Sequence, residues 1–239
     1  MKQISIDINC DLGEVDTVEE CTKELLLMPF ISSCNIACGA HAGNKLVMKK
    51  TIDNAIKNNL KMGAHPGYPD PENFGRVSMN ITVFDLKRSL SQQIKRVIHC
   101  ADFLQAEINQ IKLHGALYND AESDFELAQE LADFFLIEFP KIKLICLYGG
   151  EFYLACKQRT LTVISEGFMD RAYTEEGKLL SRSVPGAVFD SPKQCLAQTL
   201  ALIEKHQVGS ICLHGDNQNS FQIAQFIHHQ LQSMGIQIQ

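Results

Sequence analysis

The chain has 239 residues, 45% of them hydrophobic, and a formal net charge of −6. That length buries a sizeable core without disulfides or metal staples and suits one domain, residues 1–239. No basic stripe invites nucleic acid, and no apolar run approaches the ~20 residues of a membrane span, so neither partner is expected.

Asp7 and Asp11 stand where a secretory leader carries its apolar core, and the nine cysteines include no Cys-x-x-Cys pair. Both features predict a cytoplasmic protein whose reduced thiols are buried as small hydrophobes. The first β-rich run, residues 4–10, ends in Asn9-Cys10-Asp11-Leu12-Gly13-Glu14. Thr17-Val18-Glu19-Glu20 then fits a capping box ahead of Leu25-Leu26-Leu27. The second run, 31–38, contains Asn35 and leads into Gly39-Ala40-His41-Ala42-Gly43. Val47, Met48, Ile52, Ala55 and Ile56 share one helical face before the third run, 60–64, which meets His65-Pro66-Gly67-Tyr68. Thr82 and Asp85 open a long helix with Leu86, Leu90, Ile94, Val97 and Ala101 on one side.

The fourth run, 110–113, ends at His114-Gly115-Ala116-Leu117-Tyr118-Asn119. Ser123 and Glu126 are read as caps of a helix carrying Ala128, Leu131 and Phe135. After the fifth run, 142–147, Gly149-Gly150 precedes a short helix, and the sixth, 161–165, leads to Glu166, Asp170 and Arg171. Ser191-Pro192 supplies the N-cap and first residue of the next helix. The seventh run, 210–213, ends in His214-Gly215-Asp216, and Ser220 opens the last helix. Alternating β and α units demand parallel strands with right-handed crossovers, either as an open doubly wound sheet or as a closed barrel. In both, the long polar connections 66–80 and 167–190 lie on the face where ligands bind.

Four of the eight histidines, His41, His65, His114 and His214, close a predicted strand with a glycine within two residues, and the other four fall in predicted helices. Parallel strands gather such ends into one ring, so these four and Asp11 are the candidate catalytic residues. Asn9, Asn35, Tyr118, Asn119, Asp170, Arg171 and Asp216 are candidates for substrate contacts. Asp11, His41 and His65 are the preferred ligands if a divalent metal binds, with a set that includes His114 as the alternative, since a carboxylate and two imidazoles suit a catalytic ion. The same groups also suit metal-free acid–base work. Neither Gly-x-x-x-x-Gly-Lys-Ser/Thr nor Gly-x-Gly-x-x-Gly occurs, so the chain shows no standard nucleotide loop.

The blocks Asn9–Glu14, Asn35–Gly43, Gly63–Asp70, Phe74-Gly75-Arg76, His114–Asn119, Asp170–Tyr173 and His214–Asp216, in this order, resemble the LamB/YcsF family. The resemblance implies a TIM-like (β/α) barrel with about seven parallel strands, related to glycoside hydrolases and polysaccharide deacetylases. It also implies the A-type component of an ATP-hydrolysing 5-oxoprolinase. Such a component works with B- and C-type partners to open the lactam of 5-oxo-L-proline to L-glutamate, ATP being handled with or by the partners. On that reading Asp11 and one of His41 or His65 activate water, directly or through a metal. His114 and His214 act in acid–base or phosphate contacts, and Arg171 holds the substrate carboxylate. The competing readings are a stand-alone metal-dependent carbohydrate hydrolase or deacetylase, and a non-catalytic ligand-binding component.

Overall fold

A computed structural model describes residues 4–175, 177–206 and 208–239. Seven strands, β1 (Ser5–Leu12), β2 (Ser33–Ala37), β3 (Lys61–His65), β4 (Gln110–Lys112), β5 (Lys143–Leu147), β6 (Val163–Phe168) and β7 (Ser210–Leu213), pair in chain order, all parallel. β7 also pairs with β1, which closes the sheet into a barrel and rules out the open alternative. A short β8 (Gln237–Ile238) adds to Ser5 and Ile6, just before the register at which β7 takes over.

Strand periodicity explains the two faces. Along β1, Ile6, Ile8, Cys10 and Leu12 join the hydrophobic cluster beneath the helices. Asp7, Asn9 and Asp11 alternate with them and turn inward, where they hydrogen-bond to groups from other strands. The barrel interior is therefore polar rather than filled by stacked aliphatic layers. Asn35 Nδ2 donates to Asn9 Oδ1 at 2.9 Å, and Gln110 Nε2 donates to Asn35 Oδ1 at 3.2 Å. Gly63 makes room for that contact, because a Cβ there would lie 2.6 Å from Gln110 Cγ.

Eight helices are described: α1 (Cys21–Glu24), α2 (Lys45–Lys57), α3 (Val83–Phe103), α4 (Gly115–Ser123), α5 (Phe125–Glu138), α6 (Glu151–Gln158), α7 (Pro192–His206) and α8 (Ser220–Ser233). In α3, Leu86, Leu90, Ile94, Val97 and Ala101 are buried at helical spacing, and Thr82 accepts from the amide of Asp85 at 3.1 Å as expected. Each buried Leu or Ile contributes about 1.5–3 kcal/mol relative to exposure. Thr17 and Glu20 do exchange capping-box hydrogen bonds, yet the helix there runs only four residues and Leu25–Leu27 fall outside it. Asp124, not Ser123, caps α5 by accepting from Leu127, because the Ser123 hydroxyl bonds back to Asn119 within α4. α4 covers Gly115–Ser123, where the sequence analysis assigns no element. Among the described residues no helix is long and apolar enough to cross a membrane, and all nine cysteines are free thiols.

Glu122 ties three of these elements together. From α4 it accepts from the amides of Leu147 at 2.8 Å and Tyr153 at 3.2 Å, joining the end of β5 to the first turn of α6. Burial pushes its carboxyl up to about 8 against the pull of those amides. A carboxyl raised in the folded state holds its proton more tightly there than in the unfolded chain. Its contribution is full below the unfolded value of about 4.3 and is lost as pH rises through 8. Glu122→Gln should therefore flatten the decline of the melting temperature between pH 5 and 8 by on the order of a few degrees, read by circular dichroism.

Candidate active site

The carboxyl ends of the strands converge on one mouth. Asp11 is next to last in β1, His65 ends β3, His114 lies two residues beyond β4, and His214 directly follows β7. With Glu14, Lys112, Phe168 and Arg171 they line a cavity of about 430 Å³. The connection 66–82 contributes Arg76 to its wall, and the connection 169–191 contributes Leu179, Leu180 and Arg182.

Lys112 forms the floor. It alternates with Ile111 and Leu113 along the β4 run, which sends its side chain into the barrel. Its Nζ lies 3.1 Å from Asp11 Oδ1, 3.0 Å from Glu166 Oε1, 3.3 Å from Asn9 Oδ1 and 3.0 Å from Cys212 Sγ. Burial works against the ammonium, but Asp11, then Cys212 and Glu166, outweigh it and hold Lys112 well above its ordinary value. Asp11 is likewise opposed by burial, yet the charges of His65 and Lys112 hold it well below the carboxylate range. Glu166 goes the other way: its complete burial raises it in spite of Lys112. Tyr118 donates its hydroxyl to Glu166 Oε2 at 2.9 Å, so its hydroxyl is engaged and its ring forms wall.

Three imidazoles surround Glu14. Glu14 Oε1 lies 2.9 Å from His114 Nδ1, 3.1 Å from His41 Nε2 and 3.6 Å from His65 Nε2. The His41 ring stacks on His114 with centroids 3.7 Å apart. Burial pushes the Glu14 carboxyl up, but the adjoining imidazoles of His114 and His41 prevail and hold it well below its usual value. For His41 burial prevails, pushing the imidazole down to about 4. His65 is opposed by burial and raised by Asp11, whose Oδ2 stands 3.3 Å from its Nε2. Gly75 closes over this cluster with φ +62°, and a Cβ there would lie 2.9 Å from His41 Cβ. Conformation and space both require glycine.

Across the cavity, His214 Nδ1 is held by Asp170 Oδ1 at 2.8 Å, and its ring stacks on Phe168 with centroids 5.3 Å apart. Asp170 thereby leaves Nε2 as the nitrogen available for proton transfer. Arg171 donates Nη2 to the carbonyl of Leu180, while its Nε is buried without a partner. Burial and the neighbouring Arg182 lower its guanidinium from the ordinary value. Asp216 sits at the rim in ion pairs with Arg76 and Arg182.

Of the residues singled out from sequence, Asp11, His65, His114, Tyr118, Asn119, Arg171 and His214 line the cavity. Asn9, Asn35, His41 and Asp170 lie behind that lining: Asn9, Asn35 and Asp170 hold neighbouring side chains, and His41 meets Glu14 through Nε2 while its buried Nδ1 has no partner. The expected ligand set Asp11, His41 and His65 is not gathered. The described residues bring ligand atoms within 4.8 Å of one another in two other trios, Glu14–His65–His114 and Asp11–Cys212–His214. Glu14 and Arg76 stand in the family-like blocks but, with Lys112 and Arg182, were not among the candidate site residues. The signal for Lys112 was there: a lone charge at an inward position of an apolar strand, two residues before His114.

Residues 6–239 match the sequence model of the LamB/YcsF family. A relative from Haemophilus influenzae strain PittEE, named as the A-type component of a 5-oxoprolinase, is 38% identical, the alignment covering 98% of each chain. A lactam utilization protein from Thermus thermophilus is 26% identical and superposes with a TM-score of 0.91 over 99% of each chain. A family 4 carbohydrate esterase from Streptomyces lividans, 9% identical with a TM-score of 0.52 over 98% of this chain and 92% of its own, shares the fold alone.

Removing the charge beneath the site should destabilise the barrel. Lys112→Ala would leave Asp11 and Glu166 buried without their cation, a loss of about 3–5 kcal/mol in urea denaturation. Adding Asp11→Asn and Glu166→Gln should recover most of that loss, since the uncompensated charges leave with it.

Proposed function

The chain belongs to the LamB/YcsF family, and on that premise we propose that it serves as the A-type component of a 5-oxoprolinase. It opens the lactam of 5-oxo-L-proline to L-glutamate in a cytoplasmic complex with B- and C-type partners that couples the step to ATP hydrolysis. One arrangement carries this reading: ionised Asp11 and carboxylate-held His214 share a small-molecule-sized cavity with a buried arginine.

Hydrolysis of the ring needs a carboxylate anchor, a water delivered to the carbonyl carbon and a proton delivered to nitrogen as the C–N bond breaks. Arg171, with an unpartnered Nε and Arg182 beside it, takes the substrate carboxylate. Asp11, kept anionic over Lys112 and next to His65, takes the proton of the attacking water. His214 supplies the proton to the leaving nitrogen from Nε2, its ring held by Asp170 through Nδ1. An amide carbonyl is a poor electrophile, and phosphorylating its oxygen with ATP makes the carbon more electrophilic; water attack and C–N cleavage then give γ-glutamyl phosphate and ADP, and a second water releases glutamate and inorganic phosphate. The chain carries no glycine-rich phosphate loop, so the nucleotide is assigned to the assembled complex.

Mixed with its partners, ATP and 5-oxoproline, the chain should yield glutamate and ADP in equal amounts, measured by coupled assays. Asp11→Asn and His214→Ala should each lower kcat by at least ~10²-fold with the fold intact by circular dichroism. Full turnover by the folded double variant would remove these roles and favour a non-catalytic binding component. Acetate release from acetylated carbohydrate without ATP would replace the reading with that of a deacetylase.

A further inference from the structure

We propose that Glu14, His65 and His114 bind one divalent transition-metal ion of the zinc type on the wall of the cavity. His65 Nδ1 lies 2.9 Å from the carbonyl oxygen of Lys112, and His114 Nε2 lies 2.9 Å from that of Phe74. A carbonyl only accepts, so each of these nitrogens carries a hydrogen. In neutral imidazoles the opposite nitrogens, His65 Nε2 and His114 Nδ1, then present lone pairs. Those two atoms are 3.0 Å apart, and they face Glu14 Oε1 at 3.6 and 2.9 Å. Three acceptors this close repel one another unless positive charge lies among them.

The spacing suits an ion. Ligand atoms around a tetrahedral centre with bonds of ~2.0 Å stand roughly 3.3 Å apart, and the three edges here run from 2.9 to 3.6 Å. Two imidazoles and a carboxylate, open to a cavity on one side, form the donor set of catalytic zinc sites that keep a free position. The surroundings are those of a ligand sphere as well. Backbone carbonyls orient both rings, and His41 Nε2 engages the Glu14 carboxylate at 3.1 Å. Asp11, with Oδ2 3.3 Å from His65 Nε2, stands as an outer carboxylate.

The second trio, Asp11–Cys212–His214, has no such need. The Lys112 ammonium already lies 3.1 Å from Asp11 Oδ1 and 3.0 Å from Cys212 Sγ, and Asp170 occupies His214 Nδ1. Among the described residues the ion-pair partners of Glu14 are imidazoles only. Compared with the set expected from sequence, His65 is kept, while Glu14 and His114 replace Asp11 and His41. A bound ion supplies Lewis acidity toward a carbonyl or phosphoryl oxygen in the cavity. The site is inferred from the ligands alone and holds whatever the substrate is.

The test reads binding directly. Chelator-stripped full-length chain is titrated with Zn²⁺ by calorimetry and with Co²⁺ by visible absorption, and elemental analysis is run on protein purified without chelator. One ion per chain and d–d bands of a nitrogen–oxygen Co²⁺ site are expected. Glu14→Gln and His114→Ala, shown folded by circular dichroism, should each weaken Zn²⁺ binding by more than ~10²-fold, beyond the usual effect of losing an outer partner. His214→Ala should leave it unchanged. Absence of stoichiometric binding by the unaltered chain would overturn the proposal, as would affinity insensitive to Glu14→Gln and His114→Ala or lost in His214→Ala. None of these readouts uses 5-oxoproline, so failure here is separable from failure of the lactam reading.

Discussion

An ammonium group inside a closed barrel is the constraint around which the site is arranged. Taking a lysine out of water costs several kcal/mol unless charge and hydrogen bonds replace its hydration. Lys112 meets that demand with Asp11 and Asn9 from β1, Glu166 from β6 and Cys212 from β7. Each partner occupies an inward position of its strand. A slip of one residue in any of these strands would turn its partner toward the helices and strand the charge. The polar interior therefore specifies register, while the helix-facing aliphatic side chains supply the burial energy.

The same residue joins the floor to the wall. Its ammonium holds Asp11, and its backbone carbonyl accepts from His65, whose other nitrogen faces Asp11 and Glu14. On the far side of the cluster, Phe74 from the connection 66–82 holds His114 through a carbonyl. A surface connection thus becomes part of the site's rigid frame, and Gly75 permits it by letting the backbone pass against His41 and His114. Opposite, Asp170 and Arg171 stand at the start of the connection 169–191, and His214 directly follows β7. The cavity has one wall of converging lone pairs and another of guanidinium groups, a polarity suited to a small anionic molecule with an electrophilic carbon.

Barrels of this kind host unrelated chemistries, and overlap with a carbohydrate esterase at 9% identity speaks only of strands and helices. What distinguishes this chain lies in side chains at the mouth. Family membership and the likeness to a 5-oxoprolinase component and a lactam utilization protein support the substrate class proposed above. The geometry narrows the roles, by separating residues that line the cavity from those that hold them.

Much of this was legible in one dimension. All seven strands showed as short β-rich runs, because a strand packed under helices must carry apolar residues at alternate positions. α3 and α8 showed through 3.6-residue periodicity, and the histidines through their glycine-flanked places at strand ends. α4 did not show, since Gly115 opens it and the helix is short and weakly patterned. Closure of the sheet was not legible from the alternation, because a βα repeat is common to open and closed forms and only the pairing of β7 with β1 distinguishes them. Nor could spacing tell His41 from His114. Both end a strand beside glycine, yet one lies behind the lining and the other faces the cavity. Local sequence thus determined which residues stand at strand ends, for that depends on short-range periodicity. Tertiary structure alone decided that Glu14 and Lys112 join them, since charges far apart in the chain meet only once the barrel closes.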